Sequence, residues 1–325
     1  MWGLFLLPIP LLFLSLFVGR YGIAPGEVWA ALTGGPGVPD VVRALVLRVR
    51  LPRALAAALV GANLSVAGAA YQGVFRNPLV EGRILGVSSG AGLGAAVALL
   101  LGANPTLLQG LAFAGGLVGV GLTSLLGWAF GAGVLVLIIA GVLVESFLSA
   151  ILGIVKYTAD PLGTLPAITH WLLGGLGAVR WPDLLPLGVA SGLGLVAFLL
   201  TRWRLNLLTL GDQEASGLGV RVRRARFGAV AVGTLLTASA VSVSGMVGWV
   251  GLIVPHGARA LVGPNYAQLL PATVGLGATL VLLLDTIART ALPVEIPLGI
   301  LTGLLGAPLF LFLFMRLLRE RGGWR

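Results

Sequence analysis

Cysteine is absent from the 325-residue chain, which excludes disulfides, thiolate zinc sites, iron–sulfur clusters and thiol nucleophiles. Lysine occurs once, at Lys156, with Tyr157 after it. A phosphate-binding loop ends in Gly-Lys-Ser/Thr because the lysine must reach the phosphates. That ending is missing, so the chain is not expected to hydrolyse ATP through such a loop. Histidine occurs twice, at His170 and His256, too sparsely for a histidine-rich metal centre. Charge is scarce as well: 10% of the residues are charged, against about 25% in soluble chains. Too few polar residues remain to cover a globule in water, which excludes an ordinary soluble enzyme.

What is present is apolar. Hydrophobic residues make up 58% of the chain and the mean hydropathy is +1.03. The net charge of +10 would suit nucleic acid or anionic lipid. Nucleic acid is disfavoured, because a basic stripe needs a wetted surface. A membrane protein remains, and its 50 glycines suit close helix packing in lipid.

Apolar runs cover 2–19, 54–75, 87–102, 107–130, 133–155, 184–201, 227–248, 250–263, 268–288 and 298–315. A crossing takes about 20 apolar residues. The run at 250–263 is short and is expected to be a helix buried among others. The first run lacks a signal peptide's basic start and cleavage site and reads as a span broken near Pro8 and Pro10. The expectation is an all-α polytopic membrane protein of about ten transmembrane helices. It is one domain over 1–325, with both termini on one side.

The stretch 202–226 is polar and carries Arg202, Arg204, Arg221, Arg223, Arg224 and Arg226. Retained basic residues mark the cytoplasmic side. Arg316, Arg319, Arg321 and Arg325 fall on the same side under ten crossings. Together with Arg76, Arg83, Arg259 and Glu81, which ten crossings place on the same side, these segments hold thirteen basic residues and four acids. Within 202–226, Gly211, Gly217 and Gly219 bracket a polar run, which suggests a short interfacial helix with turns at its ends.

Five ordered stretches resemble the FecCD family, the permease subunits of ABC importers for iron-siderophores, haem and cobalamin. They are RLPRALAAALVGANLSVAGAAYQGVFRNPLVEGRILGVSSGAG at 50–92, HWLLGGLGAVRW at 170–181, LNLLTLGDQEASGLGV at 205–220, GWVGLIVPHGARALVGP at 248–264 and EIPLGILTGLLGAPLF at 295–310. The resemblance implies a homodimeric permease with a central translocation path, in the cytoplasmic (inner) membrane of a prokaryote. Its implied partners are a second copy, two cytoplasmic ABC ATPases that hold the ATP and Mg, a periplasmic or lipid-anchored binding protein, and membrane lipid. No cofactor and no metal site are implied for the chain itself, and both termini are placed in the cytoplasm.

The resemblance also implies residue roles. Gly211, Asp212, Gln213, Glu214, Ala215, Ser216, Gly217, Leu218 and Gly219 match the coupling helices, within a loop of about 205–220. Arg50, Arg53 and Arg289 match arginines that dock acidic residues of the binding protein. Arginine suits that task because its planar fork grips carboxylate; lipid-headgroup snorkelling is the plainer alternative. Arg76, Asn77 and Pro78 match a loop read as structural, with Glu81 and Arg83 beyond it. Asn63, Gln72 and Glu145 are candidates for the translocation path. Glu145 lies mid-way along an apolar run, where a carboxylate is costly and usually faces a cavity or a partner. Packing, pathway contact and proton coupling all stay open for it.

Asp285 and Arg289 are four apart and can pair on one helical face. His256 reads as hydrogen-bonded structure, His170 as the start of a short outer helix, and Gly299, Gly303 and Gly306 as close packing in the last span. Two rival functions stand beside import of a metal chelate. One is an ion-coupled secondary carrier using Glu145 and Asp285. The other is an ABC importer for an oxyanion such as molybdate.

Overall fold

The computed structural model describes residues 2–131 and 133–320. Arg321 and Arg325 of the basic C-terminal group lie outside the described residues, as do the side chains of Arg316 and Arg319. The described secondary structure is helical throughout.

Ten apolar helices fall on the ten apolar runs, and we number them in chain order. They are α1 (Gly3–Phe17), α2 (Asp40–Val74), α3 (Val87–Leu100), α4 (Pro105–Ala129), α5 (Val134–Thr158), α6 (Trp181–Leu210), α7 (Val222–Ser244), α8 (Val250–Val262), α9 (Tyr266–Thr290) and α10 (Leu298–Glu320). Six of them, α2, α4, α5, α6, α7 and α9, are long and apolar enough to cross a membrane. α1, α3 and α8 are shorter apolar helices, and α10 is apolar over Leu298–Phe312. α1 breaks at Leu7, ahead of Pro8, where proline starts a new first turn.

Two boundaries differ from expectation. α2 starts at Asp40, inside the stretch read as polar. Val42, Val46 and Arg50 are buried at four-residue spacing while Arg43 and Arg48 are exposed, so an amphipathic stripe extends the helix outward. Residues Leu45–Arg50 are wound as π-helix, and the Trp181 indole N–H donates to the Leu47 carbonyl at 2.8 Å. The polar insert 202–226 is likewise mostly helix. Arg202 and Arg204 lie in α6, Arg223, Arg224 and Arg226 in α7, and a six-residue helix, Asp212–Gly217, sits between them.

α2 is the axis of the bundle. Its most apolar window is 83% buried, against 67% in α7, 56% in α9, 33% in α4, 28% in α6 and 22% in α5. Glycine permits this centrality. A methyl group on Gly61 would overlap the Gly277 carbonyl of α9, and one on Gly68 would overlap the Gly251 carbonyl of α8. The Tyr266 hydroxyl closes the same face by donating to the Ala69 carbonyl at 2.6 Å. α4, α5 and α6 instead turn apolar side chains outward, among them Leu143, Phe147, Ile154 and Leu193. That surface suits lipid or another apolar protein face.

The bundle has two ends, named here for a residue at each. Arg53 lies in the first turn of the fully α-helical part of α2, Leu51–Val74, and Arg76 follows its last turn beside Asp212. Leu4 of α1 packs on Gly275, while Leu16 and Ser15 meet Arg50 and Arg289. α1 therefore runs toward the Arg53 end. α10 starts at that end, where the Leu298 N–H donates to Gly174. Both described termini thus lie toward the Asp212 end.

Candidate functional site

Two stretches of non-α backbone penetrate the bundle. After α2, the chain turns at Arg76, whose φ is 49°. Asn77 accepts from the Leu79 N–H at 2.9 Å, so 76–78 is a structural turn, as the sequence suggests. The chain then climbs back inside through a 3₁₀ turn, Gly82–Leu85. From the Arg53 end, residues 245–249 descend to α8, which starts opposite the middle of α2 at Gly251, near Leu64 and Gly68. Such backbone is stable at membrane depth only when buried in protein or lining a cavity.

A cavity lies where the two stretches meet. It has a volume of about 280 Å³, and its lining includes Glu81, Arg83, Ser88, Thr237, Trp249 and Ile300. The Glu81 carboxylate lies beside the Arg83 charge and the Trp249 backbone N–H. Trp249 holds that N–H at the start of α8 with φ 69°, a left-handed conformation unfavourable for a bulky residue. Its indole packs on Gly306 and Phe310 of α10. Glu145 of α5 stands next to the cavity, 3.5 Å from the Arg83 Nε, with its side chain about a third exposed.

The structure places the other two path candidates elsewhere. Asn63 is fully buried and donates to Ser239 at 3.3 Å. Gln72 is 3% exposed, donates to the Gly251 and Leu252 carbonyls and accepts from Arg259 at 2.5 Å. Both point into helix contacts of α2 rather than onto the cavity. Polarity within an apolar run marked them, but polarity alone does not tell a helix contact from a path wall. In the sequence Glu81 merely follows a loop motif; the return of that loop into the bundle brings it to the cavity.

At the Arg53 end, three arginines are buried. Arg53 Nε and Nη2 donate to Asp285 at 2.9 and 2.8 Å, and Nη1 and Nη2 donate to Glu295 at 3.1 and 2.5 Å. Arg50 donates to the Leu16 and Tyr21 carbonyls at 2.7 and 2.6 Å. Arg289 donates to the Ser15 carbonyl at 2.5 Å and lies 3.7 Å from Asp285, completing the expected i,i+4 pair. Burial alone would raise the Glu295 carboxyl, but the Arg53 guanidinium bonded to it holds it below the usual carboxylate range. Expected to reach outward, all three guanidinium groups instead join α1, α2 and α9 to one another and to Glu295. The exposed arginines at this end are Arg20, Arg43, Arg48 and Arg180.

At the Asp212 end, Gly211 (φ 140°) and Gly219 (φ 82°) make the turns on either side of the Asp212–Gly217 helix. Ala215 is its buried foot; Gln213, Glu214, Ser216, Gly217 and Leu218 are exposed. Asp212 anchors it, 2.7 Å from Arg226 of α7 and 3.4 Å from Arg76 after α2. His256 packs against Phe310, and among the described residues its buried Nδ1 has no hydrogen-bond partner, contrary to the bond expected of it. His170 closes the short helix Thr164–Leu173 rather than opening it. Gly299 and Gly306 pack closely within the chain, on the Leu173 carbonyl and on Trp249.

The profile of the FecCD transport family matches residues 6–316. The chain is 39% identical over 331 aligned residues to the molybdate import system permease protein of Haemophilus influenzae, covering 99% of this chain and 96% of that one. It is 40% identical over 272 residues to a probable iron chelatin transport system permease protein of Helicobacter pylori, covering 84% and 82%. Among solved structures, the inward-facing conformation of a putative metal-chelate type ABC transporter superposes with a TM-score of 0.88. Its identity is 38%, over 97% of this chain and 98% of that one.

Proposed function

The chain belongs to the FecCD transport family, and from that premise we propose how this ABC importer permease is assembled and what it carries. Two copies enclose a central path. A periplasmic or lipid-anchored binding protein delivers a metal chelate at the Arg53 end, and two ABC ATPases dock at the Asp212 end. The Asp212 end faces the cytoplasm, because Arg202, Arg204, Arg221, Arg223 and Arg224 cluster there and retained arginines mark that side. Both termini are then cytoplasmic, in the inner membrane of a prokaryote.

The observation that carries this reading is the route from the exposed Asp212–Gly217 helix to the mid-depth cavity. An ATPase pushing on that helix moves Asp212. Through Arg226 the push enters α7, and through Arg76 it enters the loop that returns to the cavity with Glu81 and Arg83. Glu145 is the path residue of α5, paired to that loop through Arg83. The binding protein meets the exposed Arg20, Arg43, Arg48 and Arg180, with the buried Arg50, Arg53 and Arg289 bracing the surface beneath.

A metal chelate fits the wall chemistry. Glu81 lines the cavity with Arg83, and Glu145 stands beside it on Arg83, so a small dianion would meet like charge. The similarity to the molybdate permease favours the second reading, an oxyanion importer. The carrier reading loses one of its two carboxylates, because Asp285 is held by Arg53.

The test is uptake into proteoliposomes holding the permease and its ATPase, with the binding protein outside. The panel is a ferric siderophore, haem, cobalamin and molybdate. ATP-dependent uptake of one chelate, abolished by Glu214→Arg, is expected. Uptake of molybdate alone would replace the chelate, and gradient-driven uptake without the ATPase would restore the carrier.

A further inference from the structure

We propose that a second cavity, at the Asp212 end, binds the headgroup and first chain segment of an anionic phospholipid. This cavity has a volume of about 510 Å³ and opens between the end of α4, the start of α5 and the first turns of α7. Its walls include Ser124, Trp128, Leu137, Arg223, Arg224 and Phe227. Of its lining, only Arg226 belongs to the proposed coupling route.

Three observations converge on this ligand. The first is charge. Arg223 and Arg224 are exposed at the cavity, and the third arginine in its wall, Arg226, already bonds Asp212 at 2.7 Å. Among the described residues, no acidic side chain lines the cavity. The second is the aromatic setting. The Arg223 guanidinium lies over the Trp128 ring at 5.8 Å, a cation–π contact that holds the charge at the cavity mouth. Trp128, Phe130 and Phe227 are all exposed here, and exposed aromatics collect at the headgroup level of a bilayer. The third is the apolar remainder, Leu137, Phe227 and Val230, which suits an acyl chain and not a free ion.

An arginine that only orients the chain needs neither a cavity nor an aromatic partner. A basic cavity between helices at the cytoplasmic side is the arrangement that selects anionic headgroups. A docking protein is less suited, because the walls come from the flanks of α4 and α5 as well as from α7. Since Arg226 links the cavity to Asp212, a bound headgroup lies one residue from the coupling contact.

The experiment is tryptophan quenching by brominated lipid, with the full-length chain in phosphatidylcholine vesicles. Brominated phosphatidylglycerol is compared with brominated phosphatidylcholine of the same chains. Subtracting the Trp128→Phe variant isolates the Trp128 signal. On the order of a fivefold or greater preference for phosphatidylglycerol is expected, from about 1 kcal/mol per arginine near the surface. The preference should fall in high salt and vanish in Arg223→Ala/Arg224→Ala, while Arg202→Ala, at the same end but outside the cavity, keeps it. Equal quenching by both lipids would overturn the proposal, as would a preference that survives loss of both arginines. So would displacement by glycerol phosphate without chains, which would assign the cavity to free phosphate esters. Loss of all Trp128 quenching in the dimer, or on adding the ATPase, would assign it to protein.

Discussion

The two ends of this permease use the same chemistry, arginine against carboxylate, in opposite ways. At the Arg53 end, one guanidinium is shared by Asp285 and Glu295, with Arg53 and Asp285 buried. At the Asp212 end, one half-exposed carboxylate is shared by Arg76 and Arg226. The first joins α2 to α9 and to the chain before α10, and resists change because a lone buried charge is costly. The second is held in a wetter setting, where an ion pair is worth under about 1 kcal/mol, and can move without the fold failing. A transporter needs both: a firm frame at one end and a movable contact at the other.

Substitutions can break that contrast, and the largest effect is expected at Arg53. Arg53→Met leaves the buried Asp285 with only the longer Arg289 contact and removes the guanidinium from Glu295, and a loss of about 3–5 kcal/mol is expected, read as a large drop in the melting temperature of purified protein. If Arg53→Met melts like the wild type, the buried network is not what braces that end.

Asp285→Asn comes next. Arg53 keeps Glu295 and Arg289 keeps the Ser15 carbonyl, so a loss nearer 2 kcal/mol is expected for the charged hydrogen bonds removed. A loss equal to that of Arg53→Met would show Glu295 to be idle.

Asp212→Ala is expected to cost under about 1 kcal/mol of stability yet to abolish substrate-stimulated ATP hydrolysis in the assembled importer. Normal coupling in a stable Asp212→Ala protein would sever the proposed route to the cavity.

The smallest effect sharpens the comparison through pH. Glu295 titrates below the usual range because of Arg53. Its stabilisation is therefore complete above the unfolded glutamate value, near 4.3, and is lost as pH falls through the lower folded value. The wild-type melting temperature should fall more steeply over that window than that of Glu295→Gln. Parallel curves would show that Arg53 does not hold this carboxylate.

Legibility followed the range of each interaction. The ten apolar helices are legible because each falls on an apolar run, long or short, in the local sequence. The Asp285–Arg289 pair was readable because four residues make one helical turn. Gly211 and Gly219 disclosed their turns, since both adopt positive φ. The start of α2 was missed because its first turns bury only a stripe and so lack a full apolar run.

Hydropathy, charge and motif are enough to read an all-helical membrane chain of the FecCD family, with arginines gathered at the end of α6 and the start of α7. Which polar residues meet depends on how the helices pack. Arg53 finds its carboxylates 232 and 242 residues away, and Glu81 reaches the cavity because a loop turns back into the bundle. The physical reason is that hydropathy and helical period are properties of neighbouring residues, whereas the partner of a buried charge is chosen by how whole helices pack.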